Sequence, residues 1–290
     1  MTKGQAEGRA AGAQGRVLIV AGSDSGGGAG VQADIKVVTA LGGYAATAIT
    51  SLTIQNTLGV SGILPTPPRA VRAQMEAVLR DIGADVIKTG MLGETGLVET
   101  IAETLEDIAV GLPRVVDPVM VATSGDVLLP QGAVDAVRRL MIPGATLVTP
   151  NAPEAQILTG KTVDDVSGQR RAAEALLEMG ANAALVKGGH LSDDTIVDVL
   201  ATPQGERFFD GPRVRTRSTH GTGCTLASGI AAALARGLDL GDAVALARAF
   251  LLEAIRRAPV LGQGHGPVDH GWPARDPETY ARLLSKWIKS

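Results

Sequence analysis

Val17-Leu18-Ile19-Val20-Ala21-Gly22-Ser23-Asp24-Ser25-Gly26-Gly27-Gly28-Ala29-Gly30 passes from an unbroken apolar run into a glycine-rich turn, and a helical stretch of about residues 31–41 follows. Five consecutive apolar residues, rather than an alternating pattern, predict a strand covered on both faces. A strand, a glycine turn and a helix in that order form the opening half of a parallel βαβ unit. Working outward, strands are predicted over 45–52, 85–88, 114–116, 145–148 and 183–186, and helices over 67–82, 96–108, 223–236, 242–257 and 277–287. Residues 195–201 and 206–209 flank Pro203-Gln204-Gly205 and predict a hairpin. Strands alternating with helices predict an α/β fold: three α/β/α layers around a mostly parallel sheet. With no internal repeat or linker, residues 16–290 are expected to form one domain, and 1–15, small and polar, a disordered tail.

The bulk numbers exclude several classes. The chain has 290 residues, 45% hydrophobic and 20% charged, with a net charge of −3. That balance offers no broad basic field for nucleic acid or an anionic membrane. Aromatics are 2% of the chain, too few for stacking platforms along a single strand. No apolar run nears the ~20 residues of a membrane span, and no apolar core marks a secretory signal. The single cysteine, Cys224, permits no intrachain disulfide, and a cytoplasmic location is expected.

Several predicted strands end in polar or glycine clusters: Gly22-Ser23-Asp24, Asp117-Pro118, Asn151 to Glu154 and Lys187-Gly188-Gly189. In open α/β sheets ligands bind beyond the carboxyl ends of strands, so these clusters are expected in one crevice. Gly221-Thr222-Gly223-Cys224 opens a helix of small residues. Glycines bring N–H groups toward a ligand and the helix start adds about half a positive charge, which suits a phosphoryl group. The same residues also fit a tight turn before a packed helix. The 22–30 turn matches neither the P-loop pattern nor the dinucleotide fingerprint, which argues against the rival reading of a Rossmann-type oxidoreductase. Asn151 and Glu154 have the spacing of a helix cap or of a carboxylate that holds Mg²⁺. Lys187 is either a phosphate ligand or a solvated lysine. Cys224 is either a packed thiol or a thiolate favoured by the helix start. His190, His220, His265 and His270 have no metal-ligand spacing and are expected to be non-catalytic.

Taken together, Ala21 to Asp34, Gln55-Asn56-Thr57, Lys88 to Leu92, Val116 to Met120, Thr149 to Glu154, Lys187 to His190, His220 to Thr225 and Gly262 to His270 resemble, in order, the signatures of hydroxymethylpyrimidine/phosphomethylpyrimidine kinases of thiamin biosynthesis. The resemblance implies a ribokinase-like fold, commonly homodimeric. It implies transfer of the ATP γ-phosphoryl group to 4-amino-5-hydroxymethyl-2-methylpyrimidine and then to its monophosphate. It places Gly22, Asp34, Gln55, Met91 and Val119 against the pyrimidine, and Asp117, Asn151, Lys187 and Thr222 on the nucleotide. Glu154 and Asp117 would serve Mg²⁺, and Gly221, Thr222 and Gly223 would form the anion hole, with Cys224 as base. Residues 212–217 would lie near the nucleotide base. A pyridoxal or pyridoxine kinase, and a non-catalytic pyrimidine-binding protein, are the alternatives on the same fold.

Overall fold

The structure is a computed structural model and describes residues 15–121, 129–191 and 195–287. The expected tail lies outside these, except that Gly15 is buried and accepts a hydrogen bond from Tyr44 N at 2.8 Å. In chain order the elements are β1 Arg16–Asp24, α1 Gly30–Ala40, β2 Tyr44–Asn56, β3 Gly59–Pro65, α2 Pro68–Asp81, β4 Val86–Thr89, α3 Thr95–Ile108 and β5 Arg114–Val116. Then come α4 Gln131–Ala136, running on through a π turn Val137–Met141, β6 Leu147–Val148, α5 Ala152–Thr159, α6 Val166–Glu178 and β7 Ala184–Val186. The chain continues with β8 Thr195–Thr202, β9 Gly205–Pro212, α7 Thr222–Ala235, α8 Leu240–Arg256, α9 Trp272–Arg275 and α10 Pro277–Leu284.

The strands form one nine-stranded sheet in the order β3-β2-β1-β4-β5-β6-β7-β8-β9. The five central pairings from β2 to β7 are parallel; β3, β8 and β9 join antiparallel. β1 shows why. Leu18 and Val20 enter one core with α2 to α6, and Val17, Ile19 and Ala21 enter the other with α1, α7 and α8. Both faces are covered, as an unalternated apolar strand demands. The order reverses at β1, which has β2 on one side and β4 on the other, and a crevice opens at such a switch point.

Two loops meet there at backbone contact. Gly221 has φ +84°, and a β-carbon on it would lie 1.8 Å from Gly28 O. Gly30 has φ +54°, and a β-carbon would lie 2.4 Å from Gly22 O. Glycine is required at both for conformation and for space. Among the described residues no helix is long and apolar enough to cross a membrane.

Candidate active site

The carboxyl ends of β1, β2, β4, β5, β6 and β7 and the start of α7 line one cleft of about 690 Å³. Gly22, Gln55, Met91, Val119, Asp117, Asn151, Glu154, Lys187, Gly221, Thr222, Gly223 and Cys224 all line it.

Asp34 does not. It is fully buried on α1, and both of its carboxylate oxygens accept from Lys88 Nζ at 3.0 Å. Ser228 Oγ on α7 donates to Asp34 Oδ1 at 2.7 Å. A carboxylate one turn into a helix and facing the sheet is spent on a buried ion pair, so the expected pyrimidine contact is corrected to a position behind the cleft wall.

At the β1–β2 end, Asp24 organises the glycine turn. Its Oδ1 accepts from Gly26 N at 2.7 Å, and its Oδ2 accepts from Gly28 N at 3.0 Å and Ala29 N at 2.8 Å. His220 Nε2 lies 2.8 Å from the same Oδ2 and ties this turn to the anion loop. Burial works against the Asp24 charge, yet these bonds hold its carboxyl below the ordinary value. Gln55 Oε1 accepts from Thr53 Oγ1 at 3.1 Å, which turns the amide along the strand. At Gly22 a β-carbon would lie 2.7 Å from Met91 Cε, so the turn and Met91 share one small space.

On the opposite side, Asp117 Oδ1 accepts from Thr149 Oγ1 at 3.0 Å and from Lys187 Nζ at 3.1 Å. Its other oxygen, Oδ2, is buried with no hydrogen-bond partner. A β-carbon at Gly223 would lie 3.4 Å from Lys187 Nζ and 3.9 Å from Asp117 Oδ2, so a side chain there would fill the space between the helix start and these charges. Burial lowers Lys187, but Asp117 and Glu154 more than offset this and its pKa is raised. Burial pushes Glu154 up to about 7 despite Lys187, and Asp117 adds to the rise.

Asn151 and Glu154 form a reciprocal cap on α5. Asn151 Oδ1 accepts from Glu154 N and Glu154 Oε2 from Asn151 N, both at 2.8 Å. The capping and carboxylate readings therefore coexist, since the capped carboxylate still lines the cleft.

Cys224, in the first turn of α7 and partly open, carries a correction. A helix start lowers a thiol's pKa, but burial outweighs it here and pushes Cys224 up to about 12. Lys88 pulls the other way, Asp34 and Asp117 add to the rise, and the Gly30 N–H donates to the sulfur. In the open cleft Cys224 is a thiol rather than a resting thiolate.

Sequence reasoning missed several lining residues. Lys88 stood in a quoted motif, a lone charge ending an apolar strand. His220 was set aside for lack of metal spacing although it precedes the anion loop. Arg248, held by Asp198 at 2.7 Å, and Leu251, Leu252 and Ile255 come from α8, which carries no motif. They line the cleft together with residues 211–214.

A family model described as phosphomethylpyrimidine kinase matches residues 24–269. The hydroxymethylpyrimidine/phosphomethylpyrimidine kinase of Streptomyces coelicolor is 50% identical over 256 residues, covering 88% of this chain and 94% of that protein. The thiamine biosynthesis bifunctional protein ThiED of Geobacter sulfurreducens is 49% identical over 263 residues, and there the chain spans about half of the relative's length, 54%. Among solved structures, the pyridoxal kinase of Staphylococcus aureus in complex with AMP-PCP and pyridoxal superimposes with a TM-score of 0.82 at 34% identity, covering 89% of this chain and 94% of that one.

Proposed function

The chain belongs to the phosphomethylpyrimidine kinase family, a kinase family of ribokinase-like fold, and on that footing we propose that it phosphorylates 4-amino-5-hydroxymethyl-2-methylpyrimidine and then its monophosphate, with ATP, in thiamin biosynthesis. The observation that carries the reading is the arrangement around Gly221 to Gly223. Gly221, Thr222 and Gly223 line one cleft together with Gly22, Gln55, Met91 and Val119 and with the charged Asp117, Glu154 and Lys187. A phosphoryl group transferred in this cleft meets the positive end of α7.

Each residue's part follows from its surroundings. Gln55 offers an amide to an aminopyrimidine edge, and Met91 and Val119 supply apolar contact in a chain with few aromatics. Lys187, fixed by Asp117, meets donor phosphates. Asn151 shapes the start of α5 and so holds Glu154 in place. The backbone of Thr222 and Gly223 receives the transferring group, and Leu251, Leu252 and Ile255 suit an apolar nucleotide base. Asp117 and Glu154 fit Mg²⁺, because Asp117 Oδ2 is buried and unpartnered. An ion held here would take one or two carboxylates together with phosphates. Bound there, Mg²⁺ would neutralise donor phosphate charge. Phosphoryl transfer otherwise asks the protein for alignment and charge, and the hydroxymethyl proton passes to the Cys224 sulfur in its thiolate form.

We further infer one kinase domain over 16–290, a cytoplasmic location and a homodimer. The last is supported by an exposed apolar face on the β2–β3 ribbon, where Leu52 pairs with Leu64 and Ile54 lies alongside.

A substrate panel with ATP and Mg²⁺ tests the function. Hydroxymethylpyrimidine and its monophosphate should turn over and ribose should be inert, with pyridoxal the informative competitor given the likeness to a pyridoxal kinase. Ribose turnover equal to that of the pyrimidine, or pyridoxal alone, would sink the assignment.

A further inference from the structure

Strand β4 is apolar until Lys88, whose side chain is fully buried. Its Nζ lies 3.0 Å from each oxygen of Asp34, and Ser228 donates to that carboxylate, so α1, β4 and α7 are tied together. A buried ion pair is weak evidence of stabilisation, because apolar residues of similar volume are often as good or better. The pair therefore calls for another reason. Lys88 lines the cleft together with Cys224. A β-carbon at Gly90 would lie 3.0 Å from Nζ, so glycine there keeps a methyl group off the ammonium.

We propose that Lys88 is a positioning residue for phosphoryl transfer: a fixed cation, clamped by Asp34 and Ser228, that faces Cys224 and stabilises the negative charge its sulfur must carry to take the hydroxymethyl proton. This rests on Cys224 as the proton acceptor. In the transfer the hydroxymethyl oxygen bonds to the γ-phosphorus as the bond from that phosphorus to ADP breaks. The hydroxyl proton ends on Sγ, which leaves a neutral thiol. The sulfur must first have lost its own proton to water, and burial opposes that loss. Facing it are Lys88 from β4 and Lys187 beyond β7 on the positive side, with the Gly30 N–H of α1. Asp34 on α1 and Asp117 beyond β5 oppose them. Of these groups Lys88 pulls hardest against burial of the thiol. Burial works against its own charge, but the carboxylates Asp34 first and then Asp117 hold that charge in place.

Cys224 is the sole cysteine, so iodoacetamide alkylation of the full chain reads it directly. Lys88→Met leaves Asp34 buried without its partner. Lys88→Met/Asp34→Leu removes both charges and keeps an apolar filling, which guards against simple unfolding. Both variants should lower kcat on hydroxymethylpyrimidine by about 10²-fold, with KM for ATP within about twofold. Lys88→Met should also slow alkylation at fixed pH by favouring the thiol, and the double variant should do so less, because Asp34, which opposes Lys88 at the sulfur, is removed with it. A folded double variant with wild-type kcat and an unchanged alkylation rate overturns the proposal, and so does a fall in kcat of Lys88→Met without slower alkylation. Full activity of Cys224→Ala, measured alongside, would overturn the proton-acceptor reading separately; the slower alkylation of Lys88→Met would still establish the charge coupling between Lys88 and Cys224.

Discussion

Two lysine–aspartate pairs lie under the same helix start, and they are built differently. In Lys88–Asp34 both side chains are fully buried, and both carboxylate oxygens are taken by Lys88, with Ser228 on Oδ1 as well. In Lys187–Asp117 the lysine keeps 13% of its side-chain surface, and one aspartate oxygen is buried without a partner. A closed pair has both carboxylate oxygens answered by protein, so its charges are fixed in place behind the cleft wall. An open pair keeps an unanswered acceptor in a low-dielectric place, which is costly and is relieved when a cation or donor arrives. On the proposed function, the difference separates the residues that shape the cleft from those that meet ligand.

The largest effect is expected where the two pairs face each other, at Cys224. Cys224→Ala should lower kcat by about 10²–10⁴-fold with little change in KM, since a general base acts in the transition state. Steady-state kinetics on the pyrimidine check this, and near-wild-type kcat would reduce Cys224 to a packed thiol. Asp117→Asn comes next. It keeps an acceptor for Thr149 but removes the charge that faces Lys187, and should cost about 10²–10³-fold in kcat, as loss of one electrostatic contact typically does. Its melting temperature should fall less than that of Asp34→Asn, which leaves Lys88 buried and unpaired. If the order is reversed, with Asp117→Asn the less stable and Asp34→Asn the less active, the distinction between open and closed pairs is wrong.

Much of this was legible in the sequence because parallel α/β folds announce themselves through unalternated apolar runs and polar strand ends. The strand over 114–116 appears as predicted, and the hairpin is present with β9 extended to Pro212. β3 was not read, because Gly59 and Gly62 break its pattern and it pairs only with the outward extension of β2. Helices α4 and α6 carry no motif and have no predicted range, whereas the Asn151–Glu154 spacing points to the start of α5 without giving its length. At the site, identity along the chain does not encode which face a side chain takes. Asp34 and Lys88 both stood in quoted motifs, yet only the fold shows that they bind each other, and only burial shows that Cys224 rests as a thiol. The α8 contribution was illegible because its apolar residues serve the core and the cleft in the same helix.

A third buried contact under α7, uncharged at neutral pH, sharpens the contrast and sets an acid limit on it. Thr225 Oγ1 donates to Gly221 O at 2.8 Å, so at its 2.8 Å contact with His270 Nε2 it accepts, and the ring carries hydrogen on that nitrogen. The contact pins the anion loop to the C-terminal segment without an ion pair. Burial lowers His270 from 6.5 to about 4, with Lys36 adding to the fall against Asp269. The unfolded chain therefore takes up a proton at this histidine near pH 6.5, while the folded chain refuses it until about 4. The contribution to stability is complete above pH 6.5, declines as pH falls from 6.5 to about 4, and levels off below. Over that window the gap corresponds to about 3 kcal/mol. His270→Gln retains an N–H for Thr225 and cannot titrate. Urea unfolding of both proteins between pH 4 and 7.5 should show the wild type losing about 3 kcal/mol more than the variant. Parallel curves would mean that His270 accepts its proton in the folded state, and that the anion loop is held at acid pH by Asp24 and His220 instead.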